Sequence, residues 1–201
     1  MKKIALILLA VVSLTACKQK EKKETTTSST PTYQLDAETV IVNWVGYKFT
    51  NKTGVKGQFQ TTNVTNNKKA ATLNEALTGV EFSIPVSSIF SNNGVRDAKL
   101  KSLFFGIMDH TELLSGKVTS VTGTNGIISL TMNDETHDLP FTLNLQNNTA
   151  YLKASININE WHAEKALASL HKACEVLHTG EDGISKTWNT VDLDAVLNFI
   201  K

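Results

Sequence analysis

Three side chains near the C-terminus have the types and spacing of a metal centre. His171, Cys174 and His178 stand at i, i+3 and i+7. On a helix these positions fall within a sector of roughly 60°. Imidazole and thiolate can ligate zinc, copper or haem iron. Structural zinc takes four ligands, however, and His162 lies on another face of such a helix. The reading adopted is one of packing: Cys174 is a small hydrophobe and the two imidazoles edge an apolar face. A metal or haem site on His171, Cys174 and His178 stays as the alternative. Arg96, the only Arg, precedes Asp97. The pair reads either as an ion pair at the rim of a binding site or, as adopted, as Asp97 capping a short helix that follows. His110 and His137 are isolated and read as surface or turn residues. Asp192 and Asp194 alternate outward on a strand, which makes a solvated face and no carboxylate dyad. Gly123 to Gly126 is a hairpin turn without a phosphate-binding fingerprint around it. No HExxH, GxSxG or CxxC occurs, so neither catalysis nor a cofactor is expected.

A fourth reactive group is Cys17. It ends MKKIALILLAVVSLTAC, in which Lys2 and Lys3 precede the apolar run Ile4 to Val12. A bilayer-crossing helix needs about 20 apolar residues. This run is shorter and reads as a secretory signal peptide over residues 1–16. Leu14-Thr15-Ala16-Cys17 resembles the bacterial lipobox, which implies lipidation of Cys17. Two or more acyl chains anchor a protein stably. The expected localisation is therefore the cell envelope after export across the inner membrane, on the outer membrane facing the periplasm. Residues 17–32, with mixed charge and a Thr/Ser tract, read as a flexible tether. With Cys17 acylated, Cys174 has no disulfide partner.

The elements that must position these groups are short strands. From Tyr33 onward the outstanding pattern is alternation of period two. Val40, Val42, Trp44 and Gly46 share a face, as do Val55, Gly57 and Phe59, and Val80, Phe82, Ile84 and Val86. Leu114, Gly116 and Val118 follow, then Ile128, Leu130 and Met132, then Leu139, Phe141, Leu143 and Leu145. The last two sets are Ala150 to Ile158 and Val191 to Phe199, each taking every second residue. Turn signals at Gly123-Thr124-Asn125-Gly126, Asn133-Asp134 and Asn147-Asn148 imply an antiparallel meander. The fold class is mainly β, a lipocalin-like antiparallel β-barrel of about eight strands. A short helix is expected in the 93–105 link. A longer one is expected near 159–178, with Ala163, Leu167, Leu170, Cys174 and Leu177 on one face and Gly180 beyond it.

Several stretches resemble the YceI family of small envelope proteins with a lipocalin-like barrel. They are Tyr33-Gln34-Leu35-Asp36 followed by VIVNWVGYKF, the G-x-x-G-x-F strand from Gly54 to Phe59, the link IPVSSIFSNNGVRDAKLKSLFF, and the final strand TWNTVDLDAVLNFI. The order of these stretches carries the resemblance, which covers nearly all of residues 33–201. The helix at 159–178 is longer and richer in His than the family pattern. The resemblance implies binding of an isoprenoid or other long amphiphilic lipid inside the barrel, without catalysis.

The residues agree in kind. A barrel of about eight strands is either filled by side chains or holds one small ligand. The cavity lining expected is Val42, Trp44, Phe59, Phe82, Ile84, Leu130, Phe141, Leu143, Leu152, Ile156, Leu193 and Leu197. Gly46, Gly57, Gly116, Ala150, Ala154 and Ala195 would leave room on that face. The alternative is a tethered structural barrel whose middle is a packed core. A net charge of +1, with 20 basic residues of which one is Arg, disfavours nucleic acid. An outer-membrane pore is disfavoured by several strands shorter than the span and by only 7% aromatic residues.

Overall fold

The computed structural model describes residues 32–201. Cys17, the lipobox, the signal segment and the tether lie outside the described residues. The strands are β1 (Gln34–Leu35), β2 (Ile41–Lys48), β3 (Thr53–Phe59), β4 (Asn63–Thr65), β5 (Glu81–Pro85) and β6 (Ile89–Phe90). They continue with β7 (Leu113–Thr122), β8 (Asn125–Met132), β9 (Glu135–Gln146), β10 (Thr149–Asn157) and β11 (Thr187–Ile200). Three α-helices join them: α1 (Leu73–Leu77), α2 (Gly94–Lys99) and α3 (Glu164–Cys174).

The strands form one antiparallel sheet in the order β4-β5-β7-β8-β9-β10-β11-β2-β3-β6, with β1 added beside β11. β7 to β10 are the expected meander, linked by three two-residue turns. Asn133 and Asp134 both have φ of 56°, and Asn147 has φ of 55°. These are left-handed conformations that Asn and Asp tolerate and that tight hairpins demand. The path curls until its ends are joined by chain continuity. β4 continues β3, and β6 continues β5. The ladder between them is split by residues 60–62 and by the turn Val86–Ser88, and Gln60 N–H donates to Ser88 O at 3.0 Å across the break. Eight long strands therefore do the enclosing, and the short β1, β4 and β6 finish the rim.

One end of the curled sheet is filled. Ala76 and Leu77 of α1 plug it, and Val80, Val118, Ile128, Leu139, Phe141, Ala150, Leu197 and Phe199 pack above them. Gly57 and Gly116, expected to leave room, do not, and Gly126 beside the β7–β8 turn is equally covered. A Cβ on Gly57 would overlap the indole of Trp44, one on Gly116 the ring of Phe82, and one on Gly126 the ring of Phe141. The rings lie flat across the bare backbone of the neighbouring strand. Of the glycines expected to leave room, only Gly46 faces open space. Ala150 and Ala195 belong to the packed core as well.

The opposite end is covered by helices. Asn93 caps α2, its Oδ1 accepting the amide of Arg96 at 2.9 Å. The capping role expected of Asp97 is thus corrected. Asp97 sits inside α2, is buried, and accepts both the amide and the hydroxyl of Ser91, at 2.9 and 2.5 Å. It pins the helix to the end of β6. The chain continues as a π-helical turn, Leu100–Phe104, and a 3₁₀ turn, Phe105–Ile107. The wider π turn lets Leu100, Phe104 and Phe105 all face inward.

The expected helix over 159–178 is shorter. A 3₁₀ turn, Ile158–Trp161, ends at His162, whose φ of 50° is incompatible with continuation. α3 then runs only from Glu164 to Cys174. Leu177 falls outside it and is exposed, whereas Ala163 and Cys174 are buried. The fully buried Trp161 anchors the approach, its indole N–H donating to Leu130 O at 3.0 Å.

These packing facts predict a contrast between two glycines. Gly126→Ala sets a methyl against the ring of Phe141 and the carbonyl of Ser120, and overpacking of this kind costs about 1–3 kcal/mol. Gly46→Ala meets nothing within 4 Å and is expected to change stability by no more than about 0.5 kcal/mol. Urea denaturation of the two variants checks the order.

Candidate functional site

The helical cover does not fill the space beneath it. Between the covered end of the sheet and the segments 100–105 and 158–170 lies an apolar chamber of about 140 Å³. The sheet contributes Trp44, Gly46, Phe59, Leu114, Met132, Ile156, Val191 and Leu193. The cover contributes Leu100, Phe104, Phe105, Ile158, Leu167 and Leu170. A register shift between Thr187 and Val191 turns both Thr187 and Trp188 toward the chamber, which is the re-aiming a β-bulge provides. The indole N–H of Trp188 donates to Phe49 O at 2.7 Å and fixes that ring.

Of the twelve residues expected to line a cavity, Trp44, Phe59, Ile156 and Leu193 border this chamber. Val42, Phe82, Ile84, Leu130, Phe141, Leu143, Leu152 and Leu197 lie instead in or against the packed core. Alternation identifies the inward face and says nothing of height along the axis, and the filled end takes the larger share. The cover residues Leu100, Phe104 and Phe105 were not among those expected. Phe104 and Phe105 belong to the apolar cluster Leu103-Phe104-Phe105, and Leu100 stands alone between two lysines, in a stretch without periodicity.

The chamber adjoins a mouth of about 380 Å³. Trp44, Gly46, Leu100, Leu170 and Thr187 belong to both. The mouth is also lined by Tyr47, which borders the chamber too, and by Lys48, Val55, Asn93, Val95, Arg96, Lys99, Cys174, Leu177 and His178. Three permanent cations meet there, and no ion pair involving them forms among the described residues. Lys99 and Lys48 turn to the end of the helical cover. Lys99 Nζ donates to Ala173 O at 2.8 Å, and Lys48 Nζ to Leu177 O at 3.3 Å. Cations are favoured there, where helix carbonyls lack partners.

The three candidate ligands of the metal reading do not converge on one point. Thr187 Oγ1 lies 2.9 Å from Nδ1 of His171 and 2.6 Å from Nδ1 of His178. A hydroxyl has one proton to give and two lone pairs to accept with, so at least one of the two imidazoles holds a proton on Nδ1 and donates to Thr187. Cys174 Sγ lies 3.8 Å from the Lys99 ammonium. A bound cation would be repelled there. No group of three or more His, Cys, Asp or Glu side chains among the described residues is placed to hold a metal. Burial, reinforced by Lys48, His171 and Lys99, lowers the His178 pKa from 6.5 to about 4. His178 is neutral at pH 7.

The remaining polar groups are peripheral. His110 is exposed at a turn and pairs with Asp134 at 2.6 Å, which raises its pKa. His137 lies edge-on to Trp161, and its Nε2 is 3.5 Å from Glu135. On the outer face of the sheet, Asp192 accepts from Tyr47 at 2.5 Å and Ser155 at 2.8 Å, which hold its pKa down. Asn43 donates to Asp194 at 2.9 Å.

Comparison with known proteins agrees with this geometry. A polyisoprenoid-binding domain from Saccharophagus degradans implicated in plant cell wall breakdown superposes with a TM-score of 0.58 at 15% identity, covering 83% of this chain and 97% of the other. BcnA of Burkholderia cenocepacia superposes with a TM-score of 0.55 at 12% identity, covering 83% and 99%. At these identities the likeness is one of fold. No curated protein matches the chain in sequence. The model of the YceI-like domain matches residues 33–199, and the chain belongs to the YceI-like family.

Proposed function

We propose that this chain is an envelope lipoprotein that binds an isoprenoid or similar long-chain amphiphile, as a carrier or buffer. The observation that carries the reading is the junction of an apolar chamber with a cationic mouth. Tyr47 and Trp188 at the chamber already donate to Asp192 and Phe49 O, which leaves the Thr187 hydroxyl and the unpartnered indole N–H of Trp44 as its few polar groups, so the group that enters is mainly hydrocarbon. The mouth offers Lys48, Arg96 and Lys99 to whatever the hydrocarbon carries at its end. A polar or anionic head group suits it. Binding without reaction is the expected behaviour for a member of this family. The polyisoprenoid-binding relative from Saccharophagus degradans supports the ligand class. Attachment through Cys17 would hold the domain at a membrane, with the outer membrane facing the periplasm as the proposed location.

The chamber is small. Ligand pockets commonly span about 300–1,000 Å³, and 140 Å³ takes only part of a long chain. Each buried CH2 contributes about 0.8 kcal/mol. Affinity is therefore expected to rise with each added isoprene unit while carbons still enter, and then to level off. Titration with a series of prenyl alcohols of increasing length, followed by Trp fluorescence, checks this. A series in which affinity never depends on length sinks the reading. Gly46 stands at the neck between chamber and mouth. Gly46→Phe is expected to abolish uptake while the far-ultraviolet circular dichroism stays unchanged. Mass spectrometry of organic extracts from both proteins measures it.

His178 supplies a pH signature. Its folded pKa, about 4, lies below the unfolded value near 6.5. The unfolded chain therefore binds the proton first as pH falls. The stabilisation from keeping this imidazole neutral is complete above pH 6.5 and is lost on the way down to pH 4. At a half-buried site, screening limits its size to about 1 kcal/mol. The His178 ring resonances are expected to titrate near pH 4, and His178→Gln to flatten the stability profile between pH 6.5 and 4.

A further inference from the structure

The rim of the mouth carries apolar side chains that the fold does not use. Val95 of α2 is 71% exposed, and Val176, Leu177 and Ile184 beyond α3 are 88%, 62% and 54% exposed. Single exposed aliphatics are ordinary, but these four stand together. Val95 and Leu177 both line the mouth. The Lys99–Ala173 bond ties α2 to the end of α3. Ser185 Oγ donates to Glu175 O at 2.9 Å and Lys186 N–H to His178 O at 3.1 Å, which holds the Ile184 loop against the Val176–His178 turn. The apolar rim is therefore a fixed feature built from three mutually tied segments.

The charge around it is predominantly positive. Lys48, Arg96 and Lys99 border the opening. Lys172 is exposed on α3, and Lys52 and Lys186 flank the Trp188 ring at 5.3 and 5.2 Å. Glu175, Glu181 and Asp182 oppose these six, and Asp182 already accepts from Thr50 at 2.5 Å. Protruding aliphatics ringed by Lys and Arg are the arrangement of a surface that lies in the interface of an anionic bilayer. Lys stems lie along apolar surface while their ammonium groups stay with the head groups.

We propose that this rim docks on an anionic lipid surface and presents the mouth to it. A lipid tail can then pass between bilayer and chamber without crossing water. The docking face rests on the reading of the chamber as a lipid site, because that reading makes a bilayer the fitting partner for an apolar rim around an opening.

The test uses the chain from residue 17 onward with Cys17→Ser, so that neither the signal segment nor an acyl anchor contributes. Its association with phosphatidylcholine vesicles is compared with that to vesicles containing roughly one third phosphatidylglycerol. Binding is expected to be stronger to the anionic vesicles and to fall about tenfold or more in a triple variant Val176→Asp, Leu177→Asp, Ile184→Asp. Ile200→Asp, an exposed aliphatic at the far end of β11, is the control and is expected to bind like the parent. A triple variant that binds as the parent does, or binding indifferent to vesicle charge, overturns the docking face. Uptake of a prenyl alcohol from detergent micelles is measured on the same proteins and is expected to be equal in parent and triple variant. Uptake absent from both overturns the reading of the chamber, and charge-dependent vesicle binding then still decides the docking face by itself.

Discussion

An apolar face of a curled sheet has to be kept from water along its whole length, and this chain meets that requirement in two ways that change over at Trp44. Toward the end plugged by α1, buried aromatic rings and aliphatic side chains occupy the interior. Toward the other end, helices cover the face without filling it. The indole of Trp44 rests on the bare backbone of Gly57 on one side and borders the chamber on the other. Its position sets the depth of the cavity. A hydrophobic interior that is closed by helices spanning the opening retains empty volume that side chains projecting from strands would have taken up.

The cover depends in turn on polar anchors at its edges. Asp97 is tied to Ser91, Lys99 to the end of α3, and Lys48 to Leu177. Each uses a side chain to satisfy a backbone group that the short helices leave open. Lys48 and Lys99 also bring positive charge to the opening, which adds to burial in keeping the nearby imidazole of His178 neutral. Stability of the cover and electrostatics of the mouth are therefore one arrangement, and no residue in it needed to be placed for binding alone.

The eight longer strands, and the meander through four of them, were legible because alternation of period two survives in nearly every one of them. The family was legible from four short stretches in the right sequence. What could not be read was height along the axis. Val42, Phe82, Ile84, Leu130, Phe141, Leu143, Leu152 and Leu197 point inward but lie in or against the filled part. Helix limits failed for a local reason: His162 adopts a left-handed conformation, which side-chain periodicity does not register. The capping box of α1, Thr72 with Glu75, is present in the sequence but heads a helix of five residues, too short to show a periodic face. The clustering of cations at the mouth was invisible because Lys48, Arg96 and Lys99 come from separate elements joined only by the fold.

The rings laid across Gly57, Gly116 and Gly126 have a consequence for how such a sequence can drift. A glycine under a ring acquires a methyl only by displacing the ring above it or straining the strand beneath. Conversely, losing the ring leaves a void and an uncovered stretch of strand. Each glycine and its aromatic cap are sterically coupled, so a change at one alters the cost of a change at the other. Lineages of this fold are then free to diverge across most of the barrel wall while a few cross-strand couples move in step.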